Sequence, residues 1–146
     1  MKKVLIAYVS RTGNTERMAN YIAEGVRFSG NEPVLQKTSA FKNDKELAGY
    51  DAYIFGCPTY HKDMTSGMKQ FLFLASNLKY EGKTGGAFGS HTHSGESAPM
   101  IFDTMEHVLK IRMTDLGPLN LTEAEIATDE GLKACQAYGK ALGENL

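Results

Sequence analysis

The chain has 146 residues, of which 42% are hydrophobic and 23% are charged, and this composition predicts a single globular domain over residues 1–146. Sixteen basic and 17 acidic residues give a formal charge of −1, which excludes the strongly basic surface of a nucleic-acid-binding protein. The two cysteines, Cys57 and Cys135, are far apart in the sequence, which excludes a Cys-x-x-Cys motif and a zinc site built on paired cysteines.

The first predicted strand, residues 4–9, is an uninterrupted apolar run that ends at Ser10. The run is too short for a signal peptide or a membrane span. Because the chain also has no disulfide framework, we expect a cytoplasmic protein that does not associate with membranes.

Short apolar runs alternate with segments of helical period along the whole chain, which predicts an α/β fold with a doubly wound parallel sheet. Five strands are predicted, at residues 4–9, 34–37, 52–57, 85–90 and 112–116. Four helices are predicted, at residues 15–29, 65–78, from about 97 through 108, and 129–142. Such sheets bind ligands beyond the carboxyl ends of their strands, where the strand order reverses. The loops after the first, third and fourth strands are therefore the candidate site.

The first of these loops is rich in neutral hydrogen-bond donors and leads into a helix. Its residues are Ser10, Arg11, Thr12, Gly13, Asn14 and Thr15. Backbone N–H groups at a helix N-terminus favour an anion, and the absence of a Walker ending or a GxGxxG pattern favours a single terminal phosphate. Two alternatives remain open: Asn14 or Thr15 caps the helix, and Arg11 points to solvent instead of pairing with the phosphate.

The second loop follows the third strand and carries an aromatic residue that can stack on a flat ligand. Its candidate site residues are Pro58, Thr59, Tyr60 and His61. The alternative for Tyr60 is simple coverage of the core. Cys57 has no resolving thiol nearby and is interpreted as a small buried packing residue.

The third loop follows the fourth strand and combines glycines, hydroxyls and two histidines. Its candidate residues are Ser90, His91, Thr92, His93 and Gly95. We expect its backbone N–H groups to meet the polar edge of a bound ring. The alternative, a metal held by His91 and His93, would need His61 from the second loop as a third ligand, and no metal is predicted.

Together the three loops resemble those of the flavodoxin family, and the resemblance spans essentially the whole chain. The segment 10–15 resembles the phosphate signature of the family, while segments 56–60 and 88–96 look closest to the flavodoxin module of flavodiiron proteins. The resemblance implies a five-stranded sheet of order 2-1-3-4-5 and FMN as cofactor. It also implies that the first loop holds the FMN phosphate and that the other two loops enclose the isoalloxazine ring.

The function implied by the resemblance is electron transfer between protein redox partners, by a monomer or weak dimer without a substrate of its own. One alternative is an FMN-dependent NAD(P)H:quinone-type oxidoreductase, although 146 residues leave little room for its second substrate site. The other is an interaction domain that keeps the fold without the flavin. Two departures from the family pattern concern charge and the flavin contacts. Electron carriers of the family are usually strongly acidic, and they often have a glycine where this chain has His61.

Overall fold

The computed structural model describes all 146 residues, which form seven strands, five helices and two short 3₁₀ turns. The strands are β1 (Lys3–Tyr8), β2 (Glu32–Lys37), β3 (Ala52–Tyr60), β4 (Asp63–Met64), β5 (Thr84–His91), β6 (Arg112–Met113) and β7 (Leu119–Thr122). The helices are α1 (Asn14–Phe28), α2 (Ser66–Ala75), α3 (Ser97–His107), α4 (Glu123–Ile126) and α5 (Asp129–Glu144). The 3₁₀ turns are Thr38–Ala40 and Asp44–Leu47.

The strands pair in the order β2-β1-β3-β5, and β6 and β7 both pair with the outer side of β5. Every pairing is parallel except that of the short β4 with the end of β3. The predicted doubly wound sheet is confirmed, with β5 as its fourth strand and β6 and β7 sharing the fifth position. The order reverses at β1 and β3, whose carboxyl ends border the site.

Helices cover both faces of the sheet and create two hydrophobic cores. On one face α1 and α5 pack against β1, β3 and β5, and the predicted stripe Met18, Ile22 and Val26 is fully buried there. On the other face α2 and α3 pack against the same strands through residues such as Phe71 and Met105. The continuous apolar runs of β1 and β3 are explained by this burial on both sides.

The predicted fifth strand, residues 112–116, is wrong beyond Met113. After β6 the chain turns out of the sheet at Gly117, whose φ is +74°, and it rejoins β5 only at Leu119. The hydroxyl of Tyr138 donates a hydrogen bond of 2.8 Å to the carbonyl oxygen of Gly117 and anchors the excursion. Leu116, which made the segment look apolar, is 54% exposed.

Smaller differences concern the ends of elements. The helix predicted over 65–78 is α2, which ends at Ala75 because the following N–H groups bond to carbonyls three residues back, as that of Asn77 does. β3 continues to Tyr60, three residues beyond its predicted end. The short α4 was missed, although Thr122 and Glu125 form a capping box at its start. None of the helices has the length and apolar character that a bilayer crossing requires.

Candidate functional site

Three loops meet at the carboxyl edge of the sheet because β1, β3 and β5 are neighbouring parallel strands. The first loop connects β1 to α1, the second is the tight turn between β3 and β4, and the third connects β5 to α3. The structure thus brings the three predicted segments together at one edge. How each predicted residue is oriented there differs from loop to loop.

The first loop presents unused backbone donors. The hydroxyl oxygen of Ser10 accepts hydrogen bonds from the N–H groups of Gly13 and Glu16, at 3.2 and 3.3 Å, and folds the loop over the start of α1. Gly13 adopts φ +93°, a conformation that L side chains rarely tolerate. The N–H groups of this loop that make no hydrogen bond within the protein are those of Ser10, Arg11, Thr12, Asn14 and Thr15. Free donors at a helix N-terminus are the features of an anion-binding loop.

Neither Asn14 nor Thr15 caps α1 with its side chain. The amide of Asn14 donates to the Thr12 hydroxyl at 3.2 Å instead. Thr15 is 2% exposed, and its hydroxyl lies 2.8 Å from that of Ser90, which is also 2% exposed. The capping alternative therefore fails, and the buried Thr15–Ser90 contact ties the first loop to the end of β5.

The second loop is a two-residue hairpin turn in which Tyr60 pairs with Asp63. His61 and Lys62 occupy the left-handed region with φ of +54° and +60°, which is the pattern of a type I′ turn. Such turns favour Asn-Gly, because Asn and Gly tolerate the left-handed region better than histidine and lysine do. Asp63 accepts a hydrogen bond from the N–H of Met64 and pairs with Lys69 of α2, and these contacts hold the turn. The pairing with Lys69 lowers the pKa of the Asp63 carboxyl.

Replacing Lys62 with glycine is expected to raise the free energy of unfolding by about 1 kcal/mol, because glycine adopts this backbone conformation without strain. The measurement is urea unfolding of the flavin-free protein. The matched control is Lys79→Gly, since Lys79 is exposed and does not have a positive φ. We expect the control to lose up to about 1 kcal/mol through the flexibility of the unfolded chain. Equal losses in both variants would show that the turn is unstrained.

A cleft of about 320 Å³ lies between the second and third loops. Of the predicted site residues, five line it: Thr59, Tyr60, His61, Thr92 and His93. Lys62 and Ser94 line it as well and were not among the predicted residues. Pro58 is buried within β3, opposite Ser90, and supports the cleft from below. Tyr60 is the aromatic residue of this cleft, and its half-buried side chain lies at the boundary with a second cavity.

The second cavity has about 630 Å³ and extends from Tyr60 to the start of α2. Arg11 and Lys69 are the cationic residues of its lining, and Asp63 is the acidic one. The guanidinium carbon of Arg11 lies 5.5 Å from the centre of the Tyr60 ring, a cation–π arrangement that links the first loop to the second. Arg11 is exposed and forms no ion pair within the chain.

The third loop is held by a polar contact that the sequence did not predict. The side-chain amide of Asn120, on β7, donates to the carbonyl oxygen of Gly95 at 2.7 Å. Three buried polar atoms have no hydrogen-bond partner: Nδ1 of His91, Oε1 of Glu96 and Oδ1 of Asn120. No sequence signal pointed to Asn120, because β7 was not predicted.

His91 does not line the cleft. Successive side chains of a strand alternate between faces, so that Ser90 points towards α1 and His91 towards the face covered by α3. There His91 lies beside Thr122 of β7. Nearby, the hydrogen bond from the Thr122 N–H lowers the pKa of the Glu125 carboxyl, to which the charge of His91 also contributes.

The end of β3 is held to the start of α3 by a short chain of hydroxyl contacts. The N–H of Ser97 donates to the Thr59 hydroxyl at 3.0 Å, and that hydroxyl donates to Oγ of Ser97 at 2.7 Å. Oγ of Ser97 in turn donates to the carbonyl oxygen of Cys57 at 3.1 Å. The hydroxyl of Thr59 thus makes its hydrogen bonds with Ser97, although Thr59 borders the cleft.

The three loop histidines do not gather into a metal site. The one group of three His, Cys, Asp or Glu side chains with ligand atoms within 4.8 Å of one another is Asp103, Glu106 and His107, all exposed on α3. This group is remote from the predicted loop histidines in sequence and lies on the solvent side of its helix. The metal alternative for the third loop therefore has no support in the geometry.

Both cysteines are fully buried, in agreement with the interpretation of Cys57 as a packing residue. Burial raises the pKa of Cys57 to about 11 and that of Cys135 to about 12. Because the thiolate is the reactive form, we expect iodoacetamide at pH 8 to label neither cysteine in the native protein and both in urea. Mass spectrometry measures the labelling, with glutathione as the reactive control. Native labelling of Cys57 at a rate near that of glutathione would contradict a structural role.

Comparison with known proteins gives a consistent result over the whole length of the chain. A sequence model of the family described as Flavodoxin matches residues 6–139. A flavodoxin of Clostridium saccharobutylicum is 31% identical over 145 residues, covering 90% of this chain and 91% of its own. An NAD(P)H dehydrogenase (quinone) of Rhodopseudomonas palustris is 34% identical over 141 residues, covering 80% of this chain and 71% of its own. The flavodiiron protein of Giardia intestinalis superposes with a TM-score of 0.86 at 27% identity, over 99% of this chain and 36% of that protein.

Proposed function

Since this chain belongs to the flavodoxin family, whose members bind FMN, we propose that it binds FMN non-covalently and carries electrons between protein partners. The observation that carries the proposal is the set of free N–H groups in the first loop, at Ser10, Arg11, Thr12, Asn14 and Thr15. Free N–H groups at a helix N-terminus bind an anion, and the left-handed Gly13 lets the backbone of this loop adopt the required turn.

The first loop would hold the phosphate of FMN. Its donors are neutral backbone and hydroxyl groups, which suit a terminal phosphate held at a helix N-terminus. Ser10 contributes indirectly, because its hydroxyl oxygen binds the N–H groups of Gly13 and Glu16 and fixes the curvature of the loop. The buried Thr15 and Ser90 hydroxyls keep this loop in register with the third loop.

The isoalloxazine ring would lie in the 320 Å³ cleft between the second and third loops. Tyr60 offers a flat face for stacking, while His61, Thr92 and His93 provide polar side chains around the ring. Pro58, Ser90 and Gly95 would support the cleft from beneath or hold its walls, and Thr59 borders it while its hydroxyl binds Ser97. Bound FMN would supply reversible electron transfer, and the protein would position the ring and exclude water from part of it.

The test begins with a fluorescence titration of FMN with the flavin-free chain. Binding quenches free flavin fluorescence and gives a yellow complex, and we expect a dissociation constant in the micromolar range or below. Riboflavin, which lacks the phosphate, should bind more weakly. A protein that stays colourless and leaves FMN fluorescence unchanged would contradict the proposal. It would support the alternative of a flavin-free interaction domain.

The quinone reductase alternative is supported by relatives of 31–37% identity that are named NAD(P)H dehydrogenase (quinone). An enzyme of that kind oxidises NAD(P)H directly, whereas an electron carrier needs a protein reductase. Anaerobic mixing of the FMN complex with NADPH or NADH separates the two functions. Slow or absent bleaching supports the carrier, and rapid bleaching followed by turnover on a quinone supports the enzyme.

A further inference from the structure

The charges around the two cavities beside Tyr60 are predominantly positive. Among the residues that line these cavities, Arg11, Lys62 and Lys69 are cationic and Asp63 alone is acidic. They carry a formal +2, while the chain as a whole carries −1 and the remaining residues therefore carry −3. The site is thus surrounded by charge of the opposite sign to that of the protein.

Two of these cations are available to an external partner. Lys69 is paired with Asp63, so that the two side chains largely cancel one another. Arg11 and Lys62 are exposed and form no ion pair within the chain. The exposed His61 and His93 lie on the same rim and add positive charge when protonated.

The geometry prepares Arg11 for a carboxylate. Its guanidinium group lies over the Tyr60 ring at 5.5 Å, and this cation–π contact favours that position of the side chain before any partner arrives. A planar guanidinium binds a carboxylate through two parallel N–H donors, and prior ordering reduces the entropy lost on binding. The adjacent cavity of about 630 Å³ gives an acidic side chain room to reach this group.

A second patch of opposite sign lies farther along the same edge. The segment from Glu123 to Glu130 follows β7 and holds four carboxylates without a basic residue. The protein therefore presents a cationic surface at the second loop and an anionic one at α4 and the start of α5. Such a charge distribution orients a partner as well as attracting it.

We propose that the surface beside Tyr60 that carries Arg11 and Lys62 is the docking surface for an acidic segment of the redox partner. The proposal rests on the proposed function only where it identifies the partner as a redox protein. It assigns the partner's charge from this chain's own residues: carboxylates opposite Arg11 and Lys62, with any basic groups opposite the 123–130 segment.

The first experiment needs no flavin and uses the isotope-labelled full chain. Hexaglutamate peptide is titrated at low ionic strength while backbone amide shifts are recorded, with hexalysine peptide as the opposite probe. We expect hexaglutamate to perturb Arg11, His61 and Lys62, and hexalysine to perturb residues 123–130. The variant Arg11→Gln/Lys62→Gln should bind hexaglutamate about tenfold more weakly. The matched control Arg27→Gln/Lys79→Gln removes two exposed charges elsewhere and should leave the affinity unchanged.

The second experiment uses the FMN-saturated protein after photoreduction. Its oxidation by the anion ferricyanide and by the cation hexaammineruthenium(III) is followed by stopped flow. At low ionic strength the Arg11→Gln/Lys62→Gln variant should react several-fold more slowly with ferricyanide and faster with hexaammineruthenium(III), and salt should remove both differences.

The outcomes separate the two proposals. Absence of FMN binding would overturn the proposed function, while the peptide titration would still test the docking surface. Hexaglutamate shifts confined to other surfaces, or equal affinity in the wild type and the Arg11→Gln/Lys62→Gln variant, would overturn the docking proposal. Retained FMN binding together with stronger perturbation of the second loop by hexalysine would also overturn it.

Discussion

Replacement of Thr12 by aspartate is expected to weaken FMN binding at least about a hundredfold. The side chain of Thr12 is exposed in the first loop, which contains the free N–H groups. A carboxylate placed there would repel the phosphate, and two like charges about 5 Å apart at an effective dielectric near 20 repel by about 3 kcal/mol. The measurement is fluorescence titration with FMN in a buffer of low ionic strength.

Titration with riboflavin tests whether the effect of Thr12→Asp depends on the phosphate of FMN. Riboflavin carries the same ring without the phosphate, so its affinity should change less than about threefold. Stability should not fall, because an acidic residue just before a helix interacts favourably with the helix dipole, and Asp can still accept the hydrogen bond from the Asn14 amide. Thr114→Asp, at a half-buried position outside the three loops, is the control for added charge. Equal losses for FMN and riboflavin would place the phosphate elsewhere.

The position of the candidate site could be predicted because it follows from the strand order. Continuous apolar runs identified β1 and β3, and helical spacing of residues such as Met18 and Ile22 identified the crossovers between strands. A parallel sheet with such crossovers brings the loops after β1, β3 and β5 to one edge whatever the details of packing. The grouping of residues 10–15, 58–61 and 90–95 therefore needed no three-dimensional information.

The orientation of individual side chains could not be predicted in the same way. β5 contains Gly85, Gly86 and Gly89, and so has no alternation of polar and apolar residues that would assign a face. Contacts with neighbouring elements assign the faces of β5. Ser90 contacts Thr15 of α1, and the alternation of the strand therefore places His91 on the opposite side of the sheet, beside Thr122. For this reason the sequence predicted both His91 and His93 as site residues. Of the two, only His93 borders the cleft.

Two further features depend on contacts between distant parts of the chain. The interruption between β6 and β7 is anchored by Tyr138, which lies 21 residues from Gly117 in the sequence. The left-handed turn at His61 and Lys62 has no Asn-Gly signature, and its geometry follows from the pairing of β3 with β4. Both features occur where the local sequence preference is weak and the surrounding structure is decisive.

The contact between α1 and α5 depends on two glycines that bring the helix backbones close together. A Cβ atom built on Gly139 would lie well inside van der Waals distance of the carbonyl oxygen of Ile22, and one built on Gly25 would overlap the carbonyl oxygen of Gln136. Both obstacles are backbone atoms, which cannot move aside as a flexible side chain can. These two helices cover the whole face of the sheet below the first loop.

Replacement of Gly139 by alanine is therefore expected to lower the free energy of unfolding by about 3 kcal/mol, despite the gain of up to about 1 kcal/mol in helix propensity. The helices must separate to admit the methyl group, and contacts around Ile22 and Val26 are lost. The matched control is Gly67→Ala in α2, where the new Cβ would meet only Val9 at 3.6 Å, and a gain of about 0.5–1 kcal/mol is expected. Urea unfolding of the flavin-free proteins measures both changes. Because the same substitution should act with opposite sign at the two sites, a stable Gly139→Ala variant would mean that α1 and α5 are not in backbone contact.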